Sequence, residues 1–175
     1  LCGAASLGAK VKLPALVGDN MILQQQTEVK LWGTAAPEAE VRVTPSWNGQ
    51  TMTCRADKDG GWTLAVETPA AGYTPYEITF DDGEKTTLKN ILIGEVWLAS
   101  GQSNMEMPLK GFAGCCIMNG ADDIIVSAEN KGVRMFTVPK HQTYELQTDC
   151  KGSWNISSIE TAPDFSATAY YFATS

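Results

Sequence analysis

The chain has 175 residues, 43% of them apolar, and a formal net charge of −7. That length suits one ordinary domain or two small ones, and the apolar content argues against disorder. An acidic surface repels phosphate backbones, which argues against nucleic acid as a partner. No run approaches the roughly 20 apolar residues that a bilayer span requires.

Residues 1–9, LCGAASLGA, are small, apolar and uncharged. Their end resembles the small-residue cleavage site of a secretory signal whose charged start is missing; a flexible N-terminal arm is the plain alternative. The signal reading implies export, periplasmic or extracellular. It leaves Cys2 as an ordinary signal residue or a lipid-attachment site. The other cysteines are Cys54, Cys115, Cys116 and Cys150. An oxidising compartment permits bridges, and Cys150 could pair with Cys115 or Cys116, but spacing alone does not give connectivity.

From Lys10 onward the period is two. Val29 and Leu31 alternate with Glu28 and Lys30. Val41 and Val43 alternate with Glu40, Arg42 and Thr44. Trp62, Leu64 and Val66 alternate with Thr63, Ala65 and Glu67, and Tyr76, Ile78 and Phe80 share one face. Turn signals separate these runs at Gly18-Asp19-Asn20, Asn48-Gly49, Asp59-Gly60-Gly61 and Asp81-Asp82-Gly83. Short alternating strands at this spacing predict an antiparallel β-sandwich over residues 10–90.

After Asn90 the pattern changes. ILIGEVWLAS, 91–100, is nearly continuous apolar sequence, as in a strand covered on both faces, which would place Trp97 in a core. Residues 121–131 predict a helix of about three turns, and GVRMFTV, 132–138, a second buried strand. A strand, a helix and a strand suggest the first βα units of a parallel α/β sheet over 91–175. Residues 139–163 read as a long loop. Asp164 can cap a helix starting at Phe165, with Phe165, Ala169 and Phe172 on one face. Two strands and an uncovered helix would not close a core, so the pattern predicts the N-terminal part of a longer protein.

Ligands of open α/β sheets bind at the carboxyl ends of strands, and Ser103 falls just past such an end, in GEVWLASGQSNMEMP, 94–108. Gly101 would permit a tight bend, and backbone N–H groups at the turn could face a developing oxyanion. Met105 stands where a G-x-S-x-G elbow has its second glycine. A serine hydroxyl needs a base to become nucleophilic. The chain's one histidine, His141, lies in the polar loop and reads as solvated. Gln102, Asn104 and Glu106 either satisfy the turn's backbone groups or contact substrate.

GEVWLASGQSNMEMPL resembles the nucleophile block of the sialate O-acetylesterases, within the broader SGNH-type esterases. LPALVGDNMILQQQTEVKLWGTA, DGGWTLAVETPAAG, GVRMFTV and FSATAYYFA also fit that family, so the resemblance covers nearly everything after residue 9. It implies a β-sandwich ahead of an α/β catalytic domain, and removal of O-acetyl groups from sialic acids through an acetyl-enzyme. Ser103 would be the nucleophile and its N–H one oxyanion donor, with Gln102, Asn104 and Glu106 in support and no metal or organic cofactor. The family's Asp-x-x-His block is absent from these residues, so the chain alone is expected to lack turnover. O-acetylated sialic acid is the implied partner, and another acetylated polysaccharide such as xylan is the alternative.

Two rival readings differ in class. One is a non-catalytic carbohydrate-binding protein using Trp32, Trp47 or Trp62, of which Trp47, in the Pro-Ser-Trp-Asn-Gly turn, reads as exposed. The other is a metal site built from Cys115, Cys116, His141 and Cys150, against which the missing C-x₂₋₄-C spacing of zinc sites counts.

Overall fold

Alternation builds the first part of the molecule. In the computed structural model, which describes residues 10–175, the strands there are β1 (Ile22–Gln24), β2 (Glu28–Thr34), β3 (Glu40–Pro45), β4 (Met52–Arg55), β5 (Gly61–Glu67), β6 (Gly72–Asp81) and β7 (Lys85–Gly94). The signal-remnant reading of residues 1–9, with Cys2, lies outside the described residues. Strands β1-β7-β6-β3-β4 form one sheet and β2-β5 a second. The inward residues of both meet in one core that holds Leu31, Val41, Val43, Trp62, Val66, Ile78 and Phe80.

The β6–β7 hairpin turns at Gly83, whose φ of +112° a side chain would resist. The ladders are antiparallel except one. β1 runs parallel to β7, with Ile22 opposite Leu92 and Gln24 opposite Gly94. The purely antiparallel sheet expected from the turns is therefore mixed. β1 and β7 are far apart in sequence, and no hairpin dictates their direction.

The strand expected over 91–100 ends early. Ile91, Leu92 and Ile93 are buried as the last part of β7, and pairing stops at Gly94. Beyond it Leu98 is 93% exposed and Trp97 67% exposed, its ring edge-on to Phe172 with centroids 5.1 Å apart. Trp97 is thus not a core residue. An unbroken apolar run does not distinguish a covered strand from a chain that leaves the sheet, because only a ladder partner keeps it extended.

The remainder is held differently. It contains α1 (Ser103–Glu106), α2 (Gly120–Val126) continued by a 3-10 turn at Ser127–Glu129, β8 (Arg134–Phe136), β9 (Trp154–Ile156), a 3-10 turn at Ala162–Asp164, and α3 (Ala167–Thr174). The predicted three-turn helix is thus about two turns of α-helix plus a tighter one. β8 pairs antiparallel with β9, inside the expected loop, and with no parallel strand among the described residues. The parallel βα pairing expected from the sequence is not formed there, since residues 95–100 offer no ladder. Leu109, Met135, Ala162, Ala167 and Tyr170 make a second, small core.

α3 starts two residues later than the sequence suggested. Its cap is Ser166, whose Oγ accepts from the Ala169 N–H at 3.3 Å. Asp164 instead pairs with Lys110. The reason is a main-chain track: Leu109 N–H donates to the Phe165 carbonyl at 2.9 Å and Ala167 N–H to that of Met107 at 2.8 Å. That track holds Phe165 extended (φ −82°, ψ 154°), so it cannot begin a helix. Phe172, expected on the buried face, is exposed, whereas Ala169 is buried.

Candidate functional site

The site begins where β7 releases the chain. Gln24 and Gln25, at the end of β1, donate their side-chain amides to the two oxygens of Glu95 at 2.9 and 2.7 Å. Gln24 Oε1 accepts the Val96 N–H at 2.9 Å. Side chains therefore replace the ladder for two residues and fix where the segment toward Ser103 departs. The two amide hydrogen bonds, Gln24 first, hold the Glu95 carboxyl below its ordinary range.

Gly101 opens the turn for a steric reason rather than a conformational one. It is not among the glycines with positive φ. A Cβ on it would lie 3.2 Å from that of Met105, tighter than comfortable packing. Gln102 then serves as N-cap of α1 through its backbone, its carbonyl accepting from Met105 at 3.0 Å and Glu106 at 3.1 Å.

Ser103 is the first residue of α1 and is exposed. Its carbonyl accepts the Met107 N–H at 3.1 Å, while its hydroxyl has no hydrogen-bond partner among the described residues. The N–H groups of Ser103 and Asn104 also have no acceptor there, as befits the first donors of a helix. An unengaged hydroxyl thus sits beside two unengaged donors.

α1 is too short to stand alone and is braced from behind. Thr168 Oγ1 donates to the Asn104 carbonyl at 3.1 Å, and Ser166 Oγ lies 3.3 Å from Met105 Sδ. Glu106 pairs with Lys140. The expectation that Gln102, Asn104 and Glu106 satisfy the turn through their side chains is not what the bonds show: the backbone does that, and Glu106 ties down the 139–153 loop. Lys140, Ser166 and Thr168 went unnoticed in the sequence, because they lie dozens of positions away and no local motif links them to α1.

His141, next to Lys140, is exposed and bonds to nothing among the described residues. The loop does fold back to α1, but it delivers Lys140. Cys54, Cys115, Cys116 and Cys150 are free thiols. Among the described residues no three His, Cys, Asp or Glu side chains gather as metal ligands, and no helix is long and apolar enough to cross a membrane.

The tryptophans reverse one expectation. Trp47 is half-buried, donates its indole N–H to the Glu67 carbonyl at 2.9 Å and meets Tyr76 edge-on. Trp32 is the exposed one, at 37%, against 4% for Trp62. A groove of about 900 Å³ lies beside the site, between the end of β7 and α3, lined by Ile93, Trp97, Val133, Phe172 and others. Ser103 is not among its lining residues.

Comparison with known proteins places this geometry. No family model matches the chain. Sialate O-acetylesterase of Rattus norvegicus is 27% identical over 161 residues, 85% of this chain and 29% of the rat protein. That of Homo sapiens is 29% identical over 154 residues, 81% of this chain and 28% of the human protein. The chain's curated relatives are sialate O-acetylesterases. The chain spans under a third of their length. Among solved structures, a carbohydrate acetylesterase from Xanthomonas citri superposes with a TM-score of 0.86 at 32% identity, over 94% of this chain and 37% of that one. The likeness to the sialate O-acetylesterases read from the Ser103 block thus extends in sequence along most of the chain, and the likeness in fold is to a carbohydrate acetylesterase.

Proposed function

We propose that the chain is the N-terminal part of a serine esterase that removes O-acetyl groups from sialic acids through an acetyl-enzyme. The observation that carries this reading is Ser103: exposed, at the head of a braced helical turn, its hydroxyl and the first two N–H groups without a partner among the described residues. The names of the relatives support the acetyl-ester class. The architecture proposed is a β-sandwich, read as residues 10–90 and extended by the last strand to Gly94, ahead of the opening part of an SGNH-like α/β domain. Export to a periplasm or the cell exterior belongs to the same proposal.

In this mechanism Ser103 Oγ attacks the acetyl carbonyl while a histidine base takes its proton. The tetrahedral intermediate collapses, and the sugar hydroxyl leaves with that proton. Water, activated by the same histidine, attacks the acetyl-serine and releases acetate. The Ser103 N–H donates to the oxyanion, a contribution whose loss typically slows turnover by about 10²–10³-fold. Gln102 and Asn104 support that turn through their backbone carbonyls, and Glu106 through its pairing with Lys140. The base and its aspartate belong to an Asp-x-x-His block outside these residues, and His141, with no bond toward Ser103, is not recruited in its place.

A second substrate reading has its own support. The Xanthomonas citri neighbour is titled a carbohydrate acetylesterase, which favours a broader acetylated glycan, xylan included. Acetate release from O-acetylated sialic acid and from acetylated xylan, measured on the protein as its host makes it, tests both. Ser103→Ala is expected to reduce turnover by at least about 10³-fold with unchanged unfolding, and the 175-residue chain alone to release no acetate above background. Turnover that survives Ser103→Ala removes the assignment. Turnover by the chain alone, lost in Ser103→Ala, would put the base within these residues.

A further inference from the structure

A second groove, of about 550 Å³, lies at the end of the β2–β5 sheet, and Ser103 is not among its lining residues. Its volume falls within the range of small-ligand sites, about 300–1,000 Å³. Trp32 lines it from the outward face of β2, where its cross-strand neighbour is the small Thr63. An indole left 37% exposed in a groove is an apolar plate open to a ligand, with Leu13 and Pro14 adding apolar surface to the same groove.

The polar groups around it are few and convergent. Lys12, Arg55, Asp57 and Asp149 line the same groove. Neither cation is in an ion pair among the described residues, and Arg55 donates only to the Glu38 carbonyl, at 3.2 Å. Both carboxylates are fixed in place through one oxygen each. Asp57 Oδ1 accepts the N–H groups of Asp59 and Gly61 at 2.9 and 2.7 Å. Asp149 Oδ1 accepts those of Ala15 and Cys150 at 3.0 and 2.8 Å. The second oxygen of each accepts nothing among the described residues. Trp62 also lines the groove, and its buried indole N–H has no acceptor there.

We propose that this groove is a saccharide-binding subsite, with a pyranose ring stacked on Trp32 and its hydroxyls shared among Asp57, Asp149 and Arg55. A sugar ring presents an apolar C–H face and an equatorial rim of donors and acceptors. An indole plate with two pre-oriented acceptors and two cationic donors outside any ion pair among the described residues matches both parts. The groove holds two cations against two anions and the chain carries −7, so the ligand is a neutral sugar rather than an acidic one. Choosing a saccharide rests partly on the acetylated-glycan reading above; the groove's chemistry does not.

The test is calorimetric titration of the 175-residue chain with unacetylated xylohexaose, cellohexaose and mannohexaose, with 3′-sialyllactose as the acidic comparison. Indole N–H signals in NMR locate the binding. No turnover is involved, so the outcome is independent of whether Ser103 is a nucleophile. Saturable binding of at least one neutral sugar is expected, shifting the Trp32 signal. Trp32→Ala should weaken it by at least about tenfold and Arg55→Ala by about threefold or more, as for the central contacts of an interface. Near-UV circular dichroism confirms that each variant is folded, and Arg55→Ala serves should Trp32→Ala fail to fold. Binding by none of the four, binding of sialyllactose alone, or neutral-sugar affinity unchanged in the folded variants overturns the proposal.

Discussion

The sheet region through Gly94 and the region from Glu95 onward are built on different principles. The first buries large side chains from facing strands, Phe80, Ile78, Leu31, Val41 and Val66 among them, at essentially no exposure. The second has a core of Leu109, Met135, Tyr170 and two alanines, and leaves Trp97, Met118, Ile125 and Phe172 on the surface. Period-two strands carry their own core with them. The second region is kept in shape by the main-chain track between 107–110 and 163–167, by side chain-to-backbone bonds, and by Arg134. The guanidinium of Arg134 donates to Asn90 Oδ1 at 3.1 Å and to the Asn20 and Asn90 carbonyls at 3.4 Å. Candidate chemistry thus sits on the less consolidated part, supported by the firmer one.

The largest test of this contrast is cavity formation. Phe80→Ala should cost about 3–5 kcal/mol and unfold the whole chain together, whereas Leu109→Ala should cost about 2–3 kcal/mol. Hydrogen exchange after Leu109→Ala should rise in 95–175 while β3, β6 and β7 stay protected. Equal loss of protection in both regions would show that they form one cooperative unit. Ser166→Ala removes the cap of α3 and should cost about 1 kcal/mol, read by denaturant unfolding together with exchange at Met105–Met107. An unchanged midpoint would mean that the 107–110 track alone positions α1.

The smallest effect is one of pH. Tyr171 donates to Asp123 Oδ2 at 2.6 Å, and burial first, then that carboxylate, push its phenol up to about 12. Its folded pKa lies above the unfolded value, about 10. The α2–α3 link it makes is therefore fully present below pH 10 and is lost as pH rises toward 12. Absorbance at 295 nm should show one tyrosine ionising late, and Tyr171→Phe should remove that step.

The two regions also differed in how readable they were. Trp62, Leu64 and Val66 announced β5, because alternation is a local signal and the strand's burial follows it. Trp97 misled, because continuous apolar sequence carries no period and exposure depended on whether a partner ladder reached past Gly94. The start of α3 was missed because Asp164 is as good a cap as Ser166 by sequence, and the choice was made by bonds to Met107 and Leu109, more than fifty residues earlier. Ser103 was legible as a motif, while its supports, Thr168, Ser166 and Lys140, were not: each acts across the fold from a position with no motif of its own. Trp32 and Trp47 exchanged roles because both lie in polar surroundings, and only the acceptor at the Glu67 carbonyl drew Trp47 inward.

The paired amides at the end of β1 have a consequence for how this fold can vary. Successive side chains of a strand point to opposite faces, so Gln24 and Gln25 can reach the same carboxylate only because the strand stops between them. The clasp therefore measures chain length. One residue added or removed between Ile22 and Gln26 would turn one amide away from Glu95 and rotate the outgoing segment, and with it the turn that holds Ser103. Homologous chains should accept loops of varied length at Asn48-Gly49 or Asp82-Gly83 while keeping the spacing at this junction fixed.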